Sequence, residues 1–379
     1  MELYFMKVVI ATDSFKGTLK AHEACEIISK AIAEIAPEAQ LVIKPMADGG
    51  EGTAGAMIKG AKGRWIGQTV MGPLPDMQVE AGFAWFEDKT ALVEMATASG
   101  LELLSCEQMN PLKTTTYGTG ELIKAALEYG GRKILLAVGG SATVDGGLGA
   151  AMALGWKFLD SQDNPIPLGG VGLEKITKII KPENLNLVPV EVLCDCDNPL
   201  CGEQGAAKVY GPQKGATEEM VEQLEKGLAH LADLVSEQLG RDINVPGAGA
   251  AGGLAGGAIA FMNADVVSGI ETIMAHSNLL SELESADWII TGEGSFDSQS
   301  LYGKVVSGIL KSASHSQTRV AVLAGQVDIP RQAYEKIGIA AAISCKDANM
   351  SLEYALENSG ALLYSAAQRF AAQYLSDCR

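Results

Sequence analysis

The feature that most constrains this chain is the way its glycines gather in short loops between predicted strands and helices. The 379 residues include 44 glycines, which cluster without the regular repeat of collagen or the bias of a low-complexity segment. A glycine amide can approach a phosphate closely, and glycine adopts a positive φ at little cost. Clustered glycines after strands therefore indicate loops that bind anions through their backbone.

The two ends of the chain alternate between strand and helix patterns, which predicts a parallel sheet with helices on both faces. The strands predicted there are Lys7–Thr12, Gln40–Lys44, Trp288–Thr291, Arg319–Leu323 and Ala340–Ser344, and the helices are Leu19–Ile35, Val305–Ala313 and Leu352–Tyr374.

The middle of the chain has a different pattern. Trp65–Val70, Met77–Phe86 and Thr90–Met95 read as consecutive strands separated by turn residues, and helix and strand alternate again only later. We therefore expect an α/β protein of two domains: a discontinuous doubly wound parallel-sheet domain (1–64 and 287–379) and an inserted mixed-sheet α/β domain (65–286).

Charge and composition exclude several classes of partner. With 29 basic and 46 acidic side chains the net charge is −17, which disfavours nucleic acid and anionic membranes. The most apolar stretch, Gly247–Met262, is too short to span a bilayer and consists largely of Gly and Ala. Seven irregularly spaced cysteines indicate reduced thiols and a cytoplasmic protein. Residues 1–6 lack the features of a signal peptide, and Met1 and Met6 are both open as the natural start.

Residues 13–18 form the first glycine-containing loop after a predicted strand. Lys16 places a cation where a helix N-terminus already favours anions, and Asp13 could coordinate Mg²⁺ or orient that lysine. An ordinary turn with Thr18 as the N-cap is the structural alternative.

Two further loops carry carboxylates. In residues 46–53, Asp48 and Glu51 lie among three glycines, which suits a divalent cation or a substrate hydroxyl better than a bare phosphate. Residues 291–298 have a similar composition, with Lys304 shortly after them.

The loop Gly139–Gly147 is the strongest single segment. A predicted buried strand, Ile134–Val138, opens into glycines with two hydroxyls and one carboxylate. Its amides and hydroxyls could hold phosphate while Asp145 binds a metal ion or accepts a proton.

Other motifs are weaker. Gly247–Gly252 matches G-x-G-x-x-G, but no adequate strand precedes it, so the dinucleotide interpretation is weak. No P-loop, G-x-S-x-G or H-E-x-x-H motif occurs. The three thiols within Cys194–Cys201 lack a fourth soft ligand, which argues against structural zinc. Asp195, at the end of the predicted strand Val190–Cys194, stands where a catalytic base or a Mg²⁺ ligand would lie.

With these loops in view, the sequence resembles the bacterial type-I glycerate kinases. The segments that carry the resemblance run from end to end of the chain; they are Ala11–Gly17, Met46–Thr53, Asn110–Gly118, Gly139–Gly149, Asp197–Leu200 and Gly292–Asp297. The resemblance implies a two-domain α/β fold with a discontinuous Rossmann-like parallel-sheet domain and an inserted mixed-sheet α/β domain. It also implies ATP and Mg²⁺ as cofactors and D-glycerate as substrate. It implies 2-phosphoglycerate as the product, with 3-phosphoglycerate as the alternative.

The sequence yields a set of candidate site residues, assigned from strand-end placement. The candidates for catalysis are Lys16, Asp195 and Asp297, with Asp195 as the base; those for substrate are Asp13, Ser14, Asp48, Glu51 and Glu293. The candidates for nucleotide are Gly139, Gly140, Ser141, Thr143, Gly146, Gly249, Gly252 and Gly253, and those for Mg²⁺ are Asp145 and Asp297.

Three alternatives stay open at this point. The chain could be a kinase for a related hydroxy acid, an NAD-dependent oxidoreductase using the G-x-G-x-x-G segment, or a non-catalytic nucleotide-responsive regulator. The expected partners are D-glycerate and ATP, without nucleic acid or membrane, and a homodimer is left open.

Overall fold

The computed structural model describes residues 5–50, 52–301, 304–314 and 316–376. These residues form two compact units. Unit 1 comprises the described residues of Met1–Asp48, Gly55–Lys62 and Ile270–Arg379, and unit 2 those of Gly49–Ala54 and Gly63–Gly269.

Strands and helices alternate along most of the described chain. The strands are β1 Lys7–Ile10, β2 Gln40–Ile43, β3 Arg64–Met71, β4 Gln78–Trp85, β5 Thr90–Glu94, β6 Lys133–Ala137, β7 Lys157–Leu159, β8 Lys178–Ile180, β9 Val190–Leu193, β10 Asp265–Val267, β11 Trp288–Thr291, β12 Ser295–Phe296, β13 Arg319–Ala324, β14 Gln326–Val327 and β15 Ile339–Ser344. The α-helices are α1 Ala21–Ile35, α2 Thr53–Ala61, α3 Ala96–Ser99, α4 Tyr117–Glu128, α5 Leu148–Ala153, α6 Ala206–Tyr210, α7 Glu218–Leu239, α8 Ala250–Met262, α9 Gly269–His276, α10 Leu279–Leu283, α11 Val305–Ala313, α12 Arg331–Lys336, α13 Leu352–Glu357 and α14 Ser359–Tyr374. Short 3₁₀ turns cover Leu101–Leu103, Cys106–Gln108, Gly170–Lys175, Pro212–Lys214 and Ser298–Leu301.

Unit 1 is built on a parallel five-stranded sheet in the order β15-β13-β11-β1-β2. The central strands β1, β11 and β13 are almost wholly buried, as expected for parallel strands that are covered on both faces. From β1 the chain runs to β2 on one side, and from β11 it runs to β13 and β15 on the other. The carboxyl ends of β1 and β11 therefore meet where the direction of strand succession reverses, which is where ligands bind in open α/β sheets.

Unit 2 contains a six-stranded mixed sheet in the order β10-β9-β6-β5-β4-β3. The β3–β4 and β4–β5 pairs are antiparallel, whereas β5, β6, β9 and β10 pair in parallel. The carboxyl ends of these four parallel strands lie along one edge of the sheet. The predicted α/β class, with one parallel sheet and one mixed sheet, is confirmed.

One helix differs from the sequence-based expectation, and another is irregular at its start. The predicted final helix Leu352–Tyr374 is divided into α13 and α14 at Asn358, whose side-chain amide donates to the Tyr354 carbonyl and so ends the first helix. Helix α8 is regular only after Gly253, because Ala251, Gly252 and Gly253 all have positive φ. In the described part of the chain, no helix combines the length and apolar character needed to cross a membrane.

Candidate functional site

Unit 1 brings carboxylates together at the carboxyl ends of β1 and β11, where the order of strands along the chain changes direction. Asp13 follows β1 and Glu293 follows β11, and both are nearly buried. The Asp13 amide donates to the Gly292 carbonyl at 2.9 Å, so backbone hydrogen bonding continues from the strands into these loops. Asp48, after β2, is half-buried.

The electrostatics of Asp13 are those of a poised acid–base group. Burial, as the largest cause, and repulsion by Asp48 and Glu293 together raise the pKa of its carboxyl from 3.8 to about 7. A hydrogen bond from the Ser14 amide, 2.6 Å from Asp13 Oδ1, and the charge of Lys16 act in the opposite direction. A pKa near the working pH is what a general base requires.

Glu293 has one oxygen available for a ligand. Its Oε2 lies 3.4 Å from Lys304 Nζ, and its Oε1 is buried without a hydrogen-bond partner among the residues described. A buried carboxylate oxygen that lacks a donor carries an energetic cost, which a cation or a hydroxyl donor would remove.

The other predicted residues of unit 1 have separate surroundings. Lys16 is exposed and Ser14 is half-buried. Asp297 is half-buried, and its Oδ1 accepts from the Ser300 amide at 3.3 Å. Glu51, a predicted substrate ligand, lies outside the described residues.

In unit 2, the accessible part of the predicted phosphate loop is its first three residues. Gly139, Gly140 and Ser141 are at least partly exposed, whereas the rest of the loop is buried. The Gly140 carbonyl accepts from Leu101 N, and Ala142 N donates to the Ser99 carbonyl, which fixes the backbone on each side of Ser141.

Lys214 lies beneath this loop and is a residue that sequence reasoning missed. It is 2% exposed, and its Nζ donates to Ser141 Oγ at 2.6 Å and to the Thr143 carbonyl at 2.8 Å. Burial lowers its pKa to about 7, opposed by the charge of Asp145. The Thr143 hydroxyl is buried without a partner among the described atoms, so it does not reach solvent as the phosphate assignment requires.

The structure gives Asp145 a structural role, and its predicted Mg²⁺ ligation stays a prediction. Its fully buried carboxylate accepts from the Thr116 amide at 2.8 Å and from the Thr116 hydroxyl, and also from the amides of Gly147 and Gly149. Burial raises its pKa, and these hydrogen bonds oppose that shift. With both oxygens engaged, Asp145 holds the loop to α4 and α5 and has little capacity for a cation.

Four glycines predicted to contact nucleotide also serve packing. A Cβ on Gly252 would overlap the Thr143 carbonyl oxygen, and one on Gly249 would overlap the Pro199 carbonyl oxygen. Gly146 and Gly253 are also buried, and a Cβ on either would crowd a leucine side chain. Their lack of a side chain lets segments pack closely behind the loop, and their contact with nucleotide stays a prediction.

Glu94, at the end of β5, is a second missed residue. It is 4% exposed, and it accepts from the amides of Gly52 at 2.5 Å and Ala54 at 3.1 Å. Burial raises its pKa, and the two amides oppose this shift. The strand-end carboxylate thus fixes the segment that leads into α2, where the first amides lack helical partners.

Asp195 follows β9 as predicted and is half-buried. Its Oδ1 accepts from Ser268 Oγ at 2.7 Å, and the Cys194 amide donates to the Val267 carbonyl at 3.0 Å. The residues after β9 are therefore tied to those after β10.

Across the described ranges, no three or more His, Cys, Asp or Glu side chains are grouped to hold a metal ion. The missed residues carry little sequence signal. Lys214 bonds to Ser141, 73 positions away, and Glu94 closes a strand that reads as apolar. Among the partner segments named here, Asn110–Gly118, which contains Thr116, was already part of the sequence resemblance.

Comparisons with known proteins agree with this architecture. The model of the glycerate kinase family matches residues 8–375. A glycerate kinase from Halalkalibacterium halodurans is 42% identical over 96% of this chain and 97% of the relative, and the glycerate 2-kinase of Escherichia coli K12 is 44% identical over 85% and 86%. The crystal structure of a protein named as glycerate kinase 2 from Salmonella typhimurium LT2 superposes with a TM-score of 0.87 at 40% identity, covering 98% of this chain and 99% of that one. Because the family match spans almost every residue from the first strand to the last helix, this chain belongs to the glycerate kinase family.

Proposed function

We propose that this protein transfers the γ-phosphoryl group of ATP to a hydroxyl of D-glycerate and forms 2-phosphoglycerate. Support comes from the family match and from the relative named glycerate 2-kinase. A kinase for a related hydroxy acid is the second candidate. No observation favours an NAD-dependent oxidoreductase, because the glycines of the G-x-G-x-x-G segment are occupied in packing. A cytoplasmic location and a homodimer stay predictions.

The observation that carries the proposal is the acidic group of unit 1. Asp13 has a pKa of about 7, and the electrostatic influence of Asp48 and Glu293 reaches it. A small hydroxy acid suits this arrangement, since carboxylates accept hydrogen bonds from its hydroxyls. The exposed Lys16 supplies a cation for its carboxylate.

Proton transfer follows from the same geometry. Asp13 is the group whose pKa matches a base at neutral pH, so it would accept the proton of the attacking hydroxyl. Asp195, held by Ser268, is the alternative base. Asp13→Asn that abolishes turnover while Asp195→Asn retains it would decide for Asp13, and the reverse would decide for Asp195.

Mg²⁺ normally accompanies ATP in such transfers, and the donor set of unit 1 fits it. The orphan Oε1 of Glu293 is a hard oxygen ligand, and Asp297 lies in the same loop. Magnesium in kinases is held by one or two carboxylates together with phosphate oxygens, so a cage of three side chains is unnecessary. When bound, the ion neutralises charge on the phosphates.

Ser141 would donate to a phosphate oxygen of the nucleotide. Its Oγ accepts a hydrogen bond from the Lys214 ammonium, so its own proton is available to a ligand. The partly exposed Gly139 and Gly140 put backbone beside it that a phosphate can approach. Lys214 thus supplies a positive charge from beneath the loop.

The test is to mix the protein with Mg-ATP and D-glycerate, follow ADP release, and resolve the phosphoglycerates by ³¹P NMR. We expect release that depends on D-glycerate, with 2-phosphoglycerate as the product. ADP release with other hydroxy acids but not with D-glycerate would favour the second candidate. Folded protein that turns over none of them would refute the kinase assignment.

A further inference from the structure

Two cysteines next to Asp195 have no part in the proposed reaction. Cys194 and Cys196 are both half-buried, and their sulfur atoms are 3.2 Å apart. A disulfide bond is about 2.0 Å long, so an approach of roughly 1 Å would close it. The cysteines of the described chain are all free thiols.

The two thiols of this pair differ in reactivity. A hydrogen bond from the Cys194 thiol stabilises a thiolate on Cys196 and lowers the pKa of Cys196, with Tyr210 acting in the same direction. The same interaction, together with burial, raises the pKa of Cys194. The thiolate is the nucleophilic form of cysteine, so Cys196 is the attacking member and Cys194 the resolving one.

We propose that Cys194 and Cys196 form an oxidation site that closes reversibly into a disulfide across Asp195. The oxidant is a hydroperoxide. The Cys196 thiolate attacks one peroxide oxygen, the O–O bond breaks, and Cys196 becomes a sulfenic acid. The Cys194 sulfur then attacks the Cys196 sulfur and expels the oxygen as water. With hydrogen peroxide as the oxidant, each peroxide is reduced to two waters, and the cysteine pair loses two electrons and two protons.

The disulfide would alter the strand end that carries Asp195. In the reduced form, Asp195 Oδ1 accepts from Ser268 Oγ at 2.7 Å, and the Cys194 amide extends the pairing of β9 with β10. A disulfide between Cys194 and Cys196 closes a ring that contains the backbone of Asp195. This changes the backbone conformation of Asp195 and draws its carboxylate away from Ser268. A consequence for turnover rests on the proposed kinase function and on Asp195, the alternative base, lying at the reacting centre, whereas formation of the disulfide rests on neither.

The sequence itself provides a way to identify the bond. A protease that cleaves before aspartate releases the dipeptide Asp195–Cys196, separate from the peptides 163–194 and 197–232. After treatment with hydrogen peroxide and alkylation, the dipeptide should remain joined to the peptide that ends in Cys194. The protein should lose the mass of two hydrogens, and dithiothreitol should restore it.

Cys201 provides the matched control, because burial and the nearby acidic side chains Glu225, Asp233 and Asp242 raise its pKa. We expect Cys201→Ser to oxidise like the parent protein. Cys196→Ser should form no disulfide, and Cys194→Ser should accumulate a sulfenic acid that dimedone traps on Cys196. A dipeptide recovered free from oxidised protein, or linked to the Cys201 peptide, would overturn the site.

Turnover gives the second readout. We expect oxidation to slow D-glycerate phosphorylation by about tenfold or more, since a displacement near 1 Å at a reacting centre can cost about 100-fold. Cys196→Ser should resist the loss, and dithiothreitol should reverse it in the parent. Complete disulfide formation with unchanged turnover would refute the effect on activity. Reduced protein without kinase activity would refute the proposed function and leave the mass-based result intact.

Discussion

The ionised carboxyl of Asp13 serves the proposed function but destabilises the folded state. Its pKa is raised from 3.8 to about 7, so the folded state retains a proton that the unfolded chain releases. The stabilising effect is complete below pH 3.8 and is lost as the pH rises through about 7. At pH 8 we expect Asp13→Asn to raise the free energy of unfolding by on the order of 1 to 3 kcal/mol, less at pH 5, while turnover falls about 100-fold or more.

Thermal melting at the two pH values and steady-state kinetics check this prediction. Asp347→Asn is the control, because Asp347 is exposed in the same unit. It should change neither quantity. A destabilised Asp13→Asn would show that favourable interactions of the carboxylate outweigh the cost of its burial and the repulsion by Asp48 and Glu293.

Lys214 carries a positive charge that the surrounding protein only partly compensates. Replacing it with Met removes the donor to Ser141 and the positive charge under the loop. We expect the KM for ATP to rise by about tenfold or more, the amount associated with losing a charged hydrogen bond, with a smaller change in the KM for D-glycerate. Lys226→Met, at an exposed position of α7, is the matched control.

The pH dependence of stability separates this role from simple packing. The pKa of Lys214 is depressed to about 7. The free-energy cost of burying its charged form is therefore absent above pH 10.5 and grows as the pH falls toward 7. The parent should therefore gain unfolding free energy between pH 7 and 10.5 with a slope of up to about 1.4 kcal/mol per pH unit, and Lys214→Met should lack that component. Equal slopes would contradict the burial of a titrating ammonium.

At the scale of elements, the start of α8 is shaped by close backbone approach. Gly252 has a φ of 66°, and a Cβ there would overlap the Thr143 carbonyl oxygen of the phosphate loop. We expect Gly252→Ala to lower the free energy of unfolding by about 2 kcal/mol or more, because strain and overlap add. It should also raise the KM for ATP.

Gly55 provides a control substitution that should change stability in the opposite direction. It lies within α2, is exposed, and would place a Cβ in open space. Gly55→Ala should stabilise the protein by about 0.5 to 1 kcal/mol, since alanine favours a helix. Chemical denaturation of both variants checks the pair. A stable Gly252→Ala with normal kinetics would show that the loop can shift without cost.

At the scale of the whole molecule, sequence reasoning predicted well what local patterns determine. The bounds of β11 and α11 match the prediction, because apolar patterns define them locally. The roles of Asp145 and Lys214 could not be predicted in the same way. Their partners Thr116 and Ser141 lie 29 and 73 positions away, so only the folded sheet brings the groups together.

The division into two units makes a final prediction about where each ligand acts. The residues proposed for glycerate belong to unit 1, and those proposed for the nucleotide phosphates belong to unit 2. A ligand at about 100 times its Kd stabilises the residues that it holds by about 2.7 kcal/mol, which slows amide exchange there by about 100-fold. D-glycerate should therefore protect residues 13–16, and a non-hydrolysable ATP analogue should protect residues 139–147 and Lys214.

Hydrogen–deuterium exchange read by mass spectrometry measures both effects in one protein. At the same concentration of nucleotide analogue, Lys214→Met should show protection that is weaker by about tenfold or more, because the lysine contacts Ser141 and Thr143 within unit 2. It should keep the protection given by D-glycerate. A nucleotide analogue that protects residues 13–16 and leaves residues 139–147 unchanged would transfer the phosphate site to unit 1. In that case the hydrogen bonds of Lys214 to Ser141 and Thr143 would hold the loop and would not serve the binding of ATP.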